Sequence, residues 1–110
     1  MKHINMAESF PASSGNSGEG NKIVTKLLDD PQCQVMAIEL RNGQKLSRHR
    51  AAEPISVFCV SGSGIFTAGT DLEDSEELTT GTLLTLAAGV DHEVTASPEL
   101  RILVTRYKGS

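Results

Sequence analysis

Turn residues recur so often along this 110-residue chain that no apolar pattern lasts long enough to form a helix. Apolar residues never keep the helical spacing of three and four over the roughly ten positions that identify a helix. Instead, short segments rich in β-branched residues alternate with turns such as Asn42-Gly43, a strong hairpin dipeptide. Many short strands separated by regular turns are typical of a sandwich or barrel. The sequence therefore predicts an all-β fold.

The expected strands are residues 23–28, 34–40, 55–60, 65–67, 82–86, 93–96 and 100–107. In the second of them, Met36, Ile38 and Leu40 fall on one face, as strand alternation requires. We expect a turn at residues 61–64 and a solvated acidic loop at residues 71–77. Residues 11–20 are small and polar, which is typical of a flexible segment. The predicted organisation is a flexible N-terminal arm, residues 1–20, followed by one β-barrel domain, residues 21–110.

Composition restricts the partners of the chain. The formal net charge is -4 and the basic residues form no block, so nucleic acid and anionic membranes are not expected partners. No apolar run approaches the roughly 20 residues of a membrane span. Residues 1–10 lack the apolar centre of a signal peptide, which predicts a cytoplasmic location. In that reducing compartment Cys33 and Cys59 are expected to be free thiols.

Two motifs with regular spacing contain the histidines of greatest interest. In the first, five residues separate Gly43 from His49, and the motif ends at Gly62. In the second, Gly81 is followed by Gly89 and then, after two residues, by His92. These motifs resemble the paired motifs of the cupin superfamily, and the resemblance covers roughly residues 34–107. It implies a jelly-roll barrel, also called a double-stranded β-helix, around an internal cavity.

In cupins, three histidines and one glutamate of these motifs usually bind one divalent metal. The resemblance assigns His49 and His92 to two of the histidine positions. Ala51 stands where the remaining histidine is expected, and Ile55 stands where the glutamate is expected. The resemblance therefore implies the cupin scaffold with an incomplete metal centre.

Two other side chains are candidates for a third ligand. Glu53 lies two residues before the glutamate position, so it would reach the site only if the chain bends locally. The thiol of Cys59 is the second candidate, because metals such as zinc accept sulfur ligands. Zinc, nickel and iron all suit imidazole ligands. Two imidazoles do not by themselves require a metal, since catalytic sites usually have three protein ligands.

Strand alternation extends the candidate site beyond the histidines. Side chains two residues apart point to the same face, so Ser47 and Ala51 should share the face of His49. By the same reasoning Cys59 should point into the barrel with Ile55 and Val57. The expected ligand-binding residues are His49, His92, Cys59 and Ser47. Their surroundings would be mostly apolar with a few polar groups, as is common in ligand pockets.

Three functions fit this sequence. The first is a cupin-barrel protein that binds a small organic ligand in its interior. The second is a metal-dependent enzyme of the isomerase or dioxygenase type that uses His49 and His92, with Glu53, Cys59 or water completing the metal shell. The third is a structural dimerisation module. A homodimer is expected, because jelly-roll edges need cover and the strand at residues 23–28 could extend a partner's sheet.

Overall fold

The computed structural model describes residues 3–5 and 22–109, and in this part of the chain it contains seven strands and no helix. The strands are β1 (Lys22–Asp29), β2 (Cys33–Leu40), β3 (Lys45–His49), β4 (Ile55–Ala68), β5 (Asp74–Thr79), β6 (Leu83–Leu86) and β7 (His92–Tyr107). The predicted all-β fold is confirmed. The N-terminal arm, predicted for residues 1–20, lies outside the described residues apart from residues 3–5. No helix that could cross a membrane is found in the described part of the chain.

The strands pair in the order β1-β2-β7-β4-β5, while β3 joins β7 and β6 joins β4, all antiparallel. The two longest strands hold the barrel together. The first part of β7 pairs with β3, and its last part pairs with β2. The first part of β4 pairs with β6, and its last part pairs with β5. Because β4 and β7 also pair with each other, the sheet closes into the predicted jelly-roll barrel.

The predicted turn at residues 61–64 is wrong, because β4 continues through it without a break. Register shifts between Cys59 and Ser61 and between Gly62 and Gly64 insert extra residues opposite β7. Such bulges bend a strand without ending it. Gly62 has a φ of +91°, a conformation that suits glycine. The glycines therefore bend β4 across the barrel, where the sequence pattern suggested two separate strands.

The segment at residues 71–77, expected to be an acidic loop, is partly strand. Its second half belongs to β5, which pairs with the last residues of β4. Glu76 and Glu77 are exposed, whereas the next residue, Leu78, is fully buried. Since the barrel covers Leu78 and leaves the carboxylates in water, acidic composition and strand structure are compatible here.

The barrel interior divides into two regions. One, here called the packed end, is filled by fully buried side chains, among them Leu40, Cys59, Leu78 and Leu100. In the other, the side chains on the same faces of the same strands stand apart and surround a cavity. The candidate site lies at this second end.

Candidate functional site

The cavity has a volume of about 220 Å³. Three long strands contribute alternate residues to its wall, with Met36 on β2, Val57 on β4 and Val104 on β7 as examples. Most of the wall is apolar, and the polar groups are few. The lining residues are Gln34, Met36, Ile38, Leu46, His49, Arg50, Ala51, Ile55, Val57, Phe66, His92, Val94, Ile102, Val104 and Arg106.

His49 and His92 meet at this cavity. They are direct partners in the antiparallel pairing of β3 with β7, which brings their side chains together. Their ring centroids lie 4.2 Å apart, with an angle of 63° between the planes. His92 is buried and stacks on Phe66, with centroids 5.6 Å apart, whereas His49 is exposed at the cavity rim. The two imidazoles can therefore contact one small ligand together.

Hydrogen bonds to the backbone orient both rings. Nδ1 of His49 lies 2.8 Å from the carbonyl oxygen of Ser47, and Nδ1 of His92 lies 3.0 Å from that of Val90. A carbonyl oxygen can only accept, so each Nδ1 carries the proton and donates. In the neutral tautomer, Nε2 then keeps its lone pair. Both histidines therefore offer Nε2 as a hydrogen-bond acceptor or a metal ligand.

Burial lowers the pKa of His92 below its ordinary value of 6.5, and the nearby charge of His49 acts in the same direction. The hydrogen bond to Val90 and the charge of Asp91 oppose this shift. Burial is the largest of these effects because imidazolium loses its hydration inside the barrel. His92 is thus held neutral at neutral pH.

This shift predicts how stability depends on pH. Where unfolded chains are protonated at His92 and folded ones are not, the unfolded state binds more protons. The stabilisation of the folded state by neutral His92 is complete above pH 6.5. It is lost as the pH falls towards the lowered pKa that His92 has in the folded protein. We expect the unfolding free energy, measured with urea between about pH 7.5 and about pH 5, to fall more steeply for the unaltered chain than for His92→Phe. Parallel curves would contradict this pKa direction.

A charged clamp fixes the histidines relative to each other. Asp91, which precedes His92, accepts a hydrogen bond from Arg48 Nε at 2.9 Å and another from Arg50 Nε at 2.8 Å. These arginines flank His49, so one carboxylate ties the end of β3 to the start of β7. Arg48 also donates to the carbonyl of Thr70. The hydrogen bond from Arg48, followed by the charges of both arginines, holds the pKa of Asp91 below its usual range.

Cys59 does not lie on the cavity wall, contrary to expectation. It points into the barrel as alternation predicts, but it belongs to the packed end and is fully buried. Its thiol contacts the carbonyl oxygen of Ser61 at 3.6 Å, and burial raises its pKa. Strand alternation predicts which side chains point inward, but not where along the barrel each of them lies. Ile55 and Val57 line the cavity, whereas Cys59 lies beyond it.

Ser47 also lies outside the cavity and is exposed. The pairing of β3 with β7 shifts register between Leu46 and His49. This irregularity places Leu46 and His49 on the same wall although they are three residues apart. An irregularity in pairing breaks the simple alternation of faces, which explains why Ser47 does not share the cavity with His49.

Glu53, a candidate third metal ligand in the sequence analysis, pairs with Arg106 instead. Its Oε1 lies 3.3 Å from Nε of Arg106. Ala51 and Ile55, which the sequence resemblance assigns to the remaining cupin ligand positions, do line the cavity. Within residues 3–5 and 22–109, no group of three or more His, Cys, Asp and Glu side chains is placed to hold a metal. The side chains present do not fit a metal centre with three or four protein ligands.

Several site residues escaped the sequence analysis. Gln34 and Arg106 line the cavity, and Phe66 supports His92. Alternation could have identified Gln34, which lies on the face of Met36 and Ile38. No local pattern pointed to Asp91, because its arginine partners are 41 and 43 residues away in sequence.

Solved structures resemble this one closely in fold. A conserved protein with a double-stranded β-helix domain from Klebsiella pneumoniae superposes with a TM-score of 0.78 at 16% identity, covering 100% of this chain and 92% of that chain. A cupin superfamily protein from Desulfitobacterium hafniense gives a TM-score of 0.76 at 11% identity, covering 88% and 84%. A cupin domain from Bordetella pertussis gives 0.68 at 20% identity, covering 86% and 100%.

Sequence comparison adds no closer relative. No protein-family model matches the sequence, and no curated protein matches it significantly. The structural similarity nevertheless extends over most of the chain, and it agrees with the spacing of the two glycine and histidine motifs. By its fold, the chain is therefore a double-stranded β-helix barrel with an internal cavity, similar to the barrels of solved cupin structures.

Proposed function

We propose that the chain binds a small organic ligand inside its cupin barrel. This proposal rests on the cavity of about 220 Å³, where apolar walls surround two imidazoles whose centroids are 4.2 Å apart. Such a combination of apolar surface and few converging polar groups is characteristic of ligand sites. The cavity is smaller than the usual range of about 300–1,000 Å³, so the ligand is small.

The orientation of the rings supports this proposal. Backbone hydrogen bonds occupy Nδ1 of both His49 and His92, so each Nε2 is available to a ligand hydroxyl or amide. The clamp of Asp91 with Arg48 and Arg50 keeps the two strand ends in place before any ligand arrives. A preorganised site loses less conformational entropy on binding.

A cavity-filling variant tests the proposal. Ala51→Leu should fill part of the cavity, because Ala51 lies on its wall. Ser47→Leu adds a similar bulk four residues earlier, at an exposed position, and serves as the matched control. In ligand-observed NMR with a small-fragment library, fragments should bind the unaltered chain and Ser47→Leu but not Ala51→Leu. Fragments that bind all three proteins equally, or none of them, would refute a cavity ligand.

A metal-dependent enzyme, of the isomerase or dioxygenase type, is the second candidate. It is favoured by the Nδ1 hydrogen bonds, since metal-binding histidines commonly donate their other ring nitrogen to a carbonyl or carboxylate. Against it stands the donor set, which within the described part of the chain supplies two imidazoles and no third side chain in position. Elemental analysis of protein purified without chelator separates the candidates: one zinc, nickel or iron per chain would favour the enzyme.

The remaining proposals concern assembly and location. We propose a homodimer in the cytoplasm, with β1 at the outer end of the strand order as the element that pairs with the partner. Light scattering at micromolar concentration should then report twice the 11.7 kDa of one chain. A purely structural dimerisation module would give the same mass but no fragment binding in the cavity.

A further inference from the structure

The charge of the cavity wall is opposite to that of the chain. The formal net charge of the chain is -4. Among the described residues that line the cavity, however, Arg50 and Arg106 are the charged ones, and no carboxylate is present. A low-dielectric wall that displays cations alone favours an anion over a neutral or cationic ligand.

Arg106 is the more informative of the two arginines. On neighbouring strands its register partners are Gln34 and Ile55, which also line the cavity. Its Nε is inaccessible to solvent and has no hydrogen-bond acceptor among the described residues. A buried donor without an acceptor is costly, so this nitrogen gains by meeting one.

Glu53 does not satisfy that donor. Its Oε1 is 3.3 Å from Arg106 Nε, which is within ion-pair distance. The N–H bond nevertheless points away from this oxygen, so no hydrogen bond forms, because hydrogen bonds weaken steeply with angle. Glu53 therefore offsets part of the guanidinium charge and leaves the Nε–H without an acceptor.

The carboxylates that face the arginines at this end of the barrel are not part of the cavity wall. Arg48 and Arg50 share the single carboxylate of Asp91. Arg106 faces the single carboxylate of Glu53. Arg48 also interacts electrostatically with Glu73. The three carboxylates that face these guanidinium groups lie outside the cavity wall, whereas Arg50 and Arg106 line it.

We propose that the ligand is a small organic acid whose carboxylate is bound by Arg106, with the Gln34 amide beside it. This inference rests on the proposed function, since it names the chemical class of the same cavity ligand. The apolar body of the acid packs on Ile55 and Val104. A hydroxyl at its other end donates to the neutral Nε2 of His92. Guanidinium is well suited to this role because it binds carboxylates through two parallel hydrogen bonds.

Matched pairs of acids and amides test this inference. The probes are aliphatic carboxylic acids of about three to six carbons, with and without a hydroxyl on the carbon farthest from the carboxylate, and their primary amides, which share their shape but lack their charge. Titrations followed by NMR should show that the unaltered chain binds the acids more tightly than the amides. Arg106→Gln should weaken acid binding by roughly tenfold or more and weaken amide binding much less, because the amide loses a neutral hydrogen bond and no charge pairing. Arg101→Gln is the control, because it removes a guanidinium from the same strand outside the cavity and should change neither.

Each outcome separates the inference from the proposed function. Acids and amides that bind equally, with no effect of Arg106→Gln, would overturn the organic acid and leave cavity binding intact. Acid binding that is weakened equally by Arg101→Gln would overturn the role of Arg106 and indicate a general charge effect. If neither acids nor amides bind, the inference and the proposed function both fail.

Discussion

Replacing Ala51 with His and Ile55 with Glu should raise the affinity of the cavity for nickel, zinc or iron by roughly a hundredfold or more, since even outer-shell changes alter metal affinity by about 10–100-fold. Both residues already line the cavity together with His49 and His92. The substitutions would complete three imidazoles and a carboxylate around one point. The unaltered chain should bind these metals weakly, because two neutral imidazoles supply half of that shell.

The same variant should be less stable without metal. Ile55 is buried, so glutamate at this position replaces an apolar contact with a carboxylate that must be paired or protonated. We expect the metal-free variant to lose about 2–5 kcal/mol of unfolding free energy. Because metal binds the folded state, added metal should recover much of this loss.

Isothermal titration, with thermal melts in the presence and absence of metal, measures both effects. Ser47→His combined with Ile55→Gln is the matched control, because it adds an exposed histidine and a neutral side chain of similar shape to glutamate. This control should gain little affinity. Tight binding of one metal by the unaltered chain would show that its metal centre is already complete. A folded double variant with no gain would show that Ala51 and Ile55 do not occupy the cupin ligand positions.

Gly62→Ala should destabilise the barrel by about 4 kcal/mol or more, beyond the range of ordinary substitutions. A Cβ at Gly62 would lie 2.2 Å from the carbonyl oxygen of Glu99 and 3.0 Å from Cα of Leu100. Both atoms belong to the backbone of β7, so relief requires that the two longest strands separate. The φ of +91° adds the usual strain of a side chain in this conformation.

Gly81→Ala is the control for the backbone strain alone. Gly81 has a nearly identical φ of +94°, yet a Cβ there would meet no atom within 4 Å. It should cost only about 1–2 kcal/mol. Urea unfolding of both variants measures the difference, which isolates the clash with β7. Equal losses in the two variants would show that the strands can separate at Gly62 without penalty.

The fold was predictable because it depends on features that are local in sequence. Turn dipeptides, β-branched segments and the spacing of glycines around His49 and His92 are all visible without coordinates. Asn42 and Gly43 indeed adopt positive φ angles, as the hairpin signal required. Alternation also identified Ala51, Ile55 and Val57 as residues that line the interior.

The site was only partly predictable because bulges and long-range pairs decide its details. The irregularity in β3 moves Ser47 out of the cavity, and no residue type announces it in advance. Cys59 lies farther along β4 than the residues that line the cavity. Its distance from the cavity depends on how side chains fill the two ends of the barrel. The partners of Asp91 and Glu53 come from strands that are distant in sequence.

Because the interior is divided into a packed end and a cavity, substitutions in the two regions have different main effects on this protein. Substitutions at Leu40, Leu78 or Leu100 act on whether the protein folds, because these side chains are fully buried against one another. Substitutions around the cavity change what can be bound, and those at buried wall residues such as Ile55 and Val57 also change stability. A chain built in this way can exchange one ligand for another by few mutations. Redesign of small-molecule recognition in this barrel should therefore begin at cavity residues that are not fully buried, such as Gln34 and Ala51.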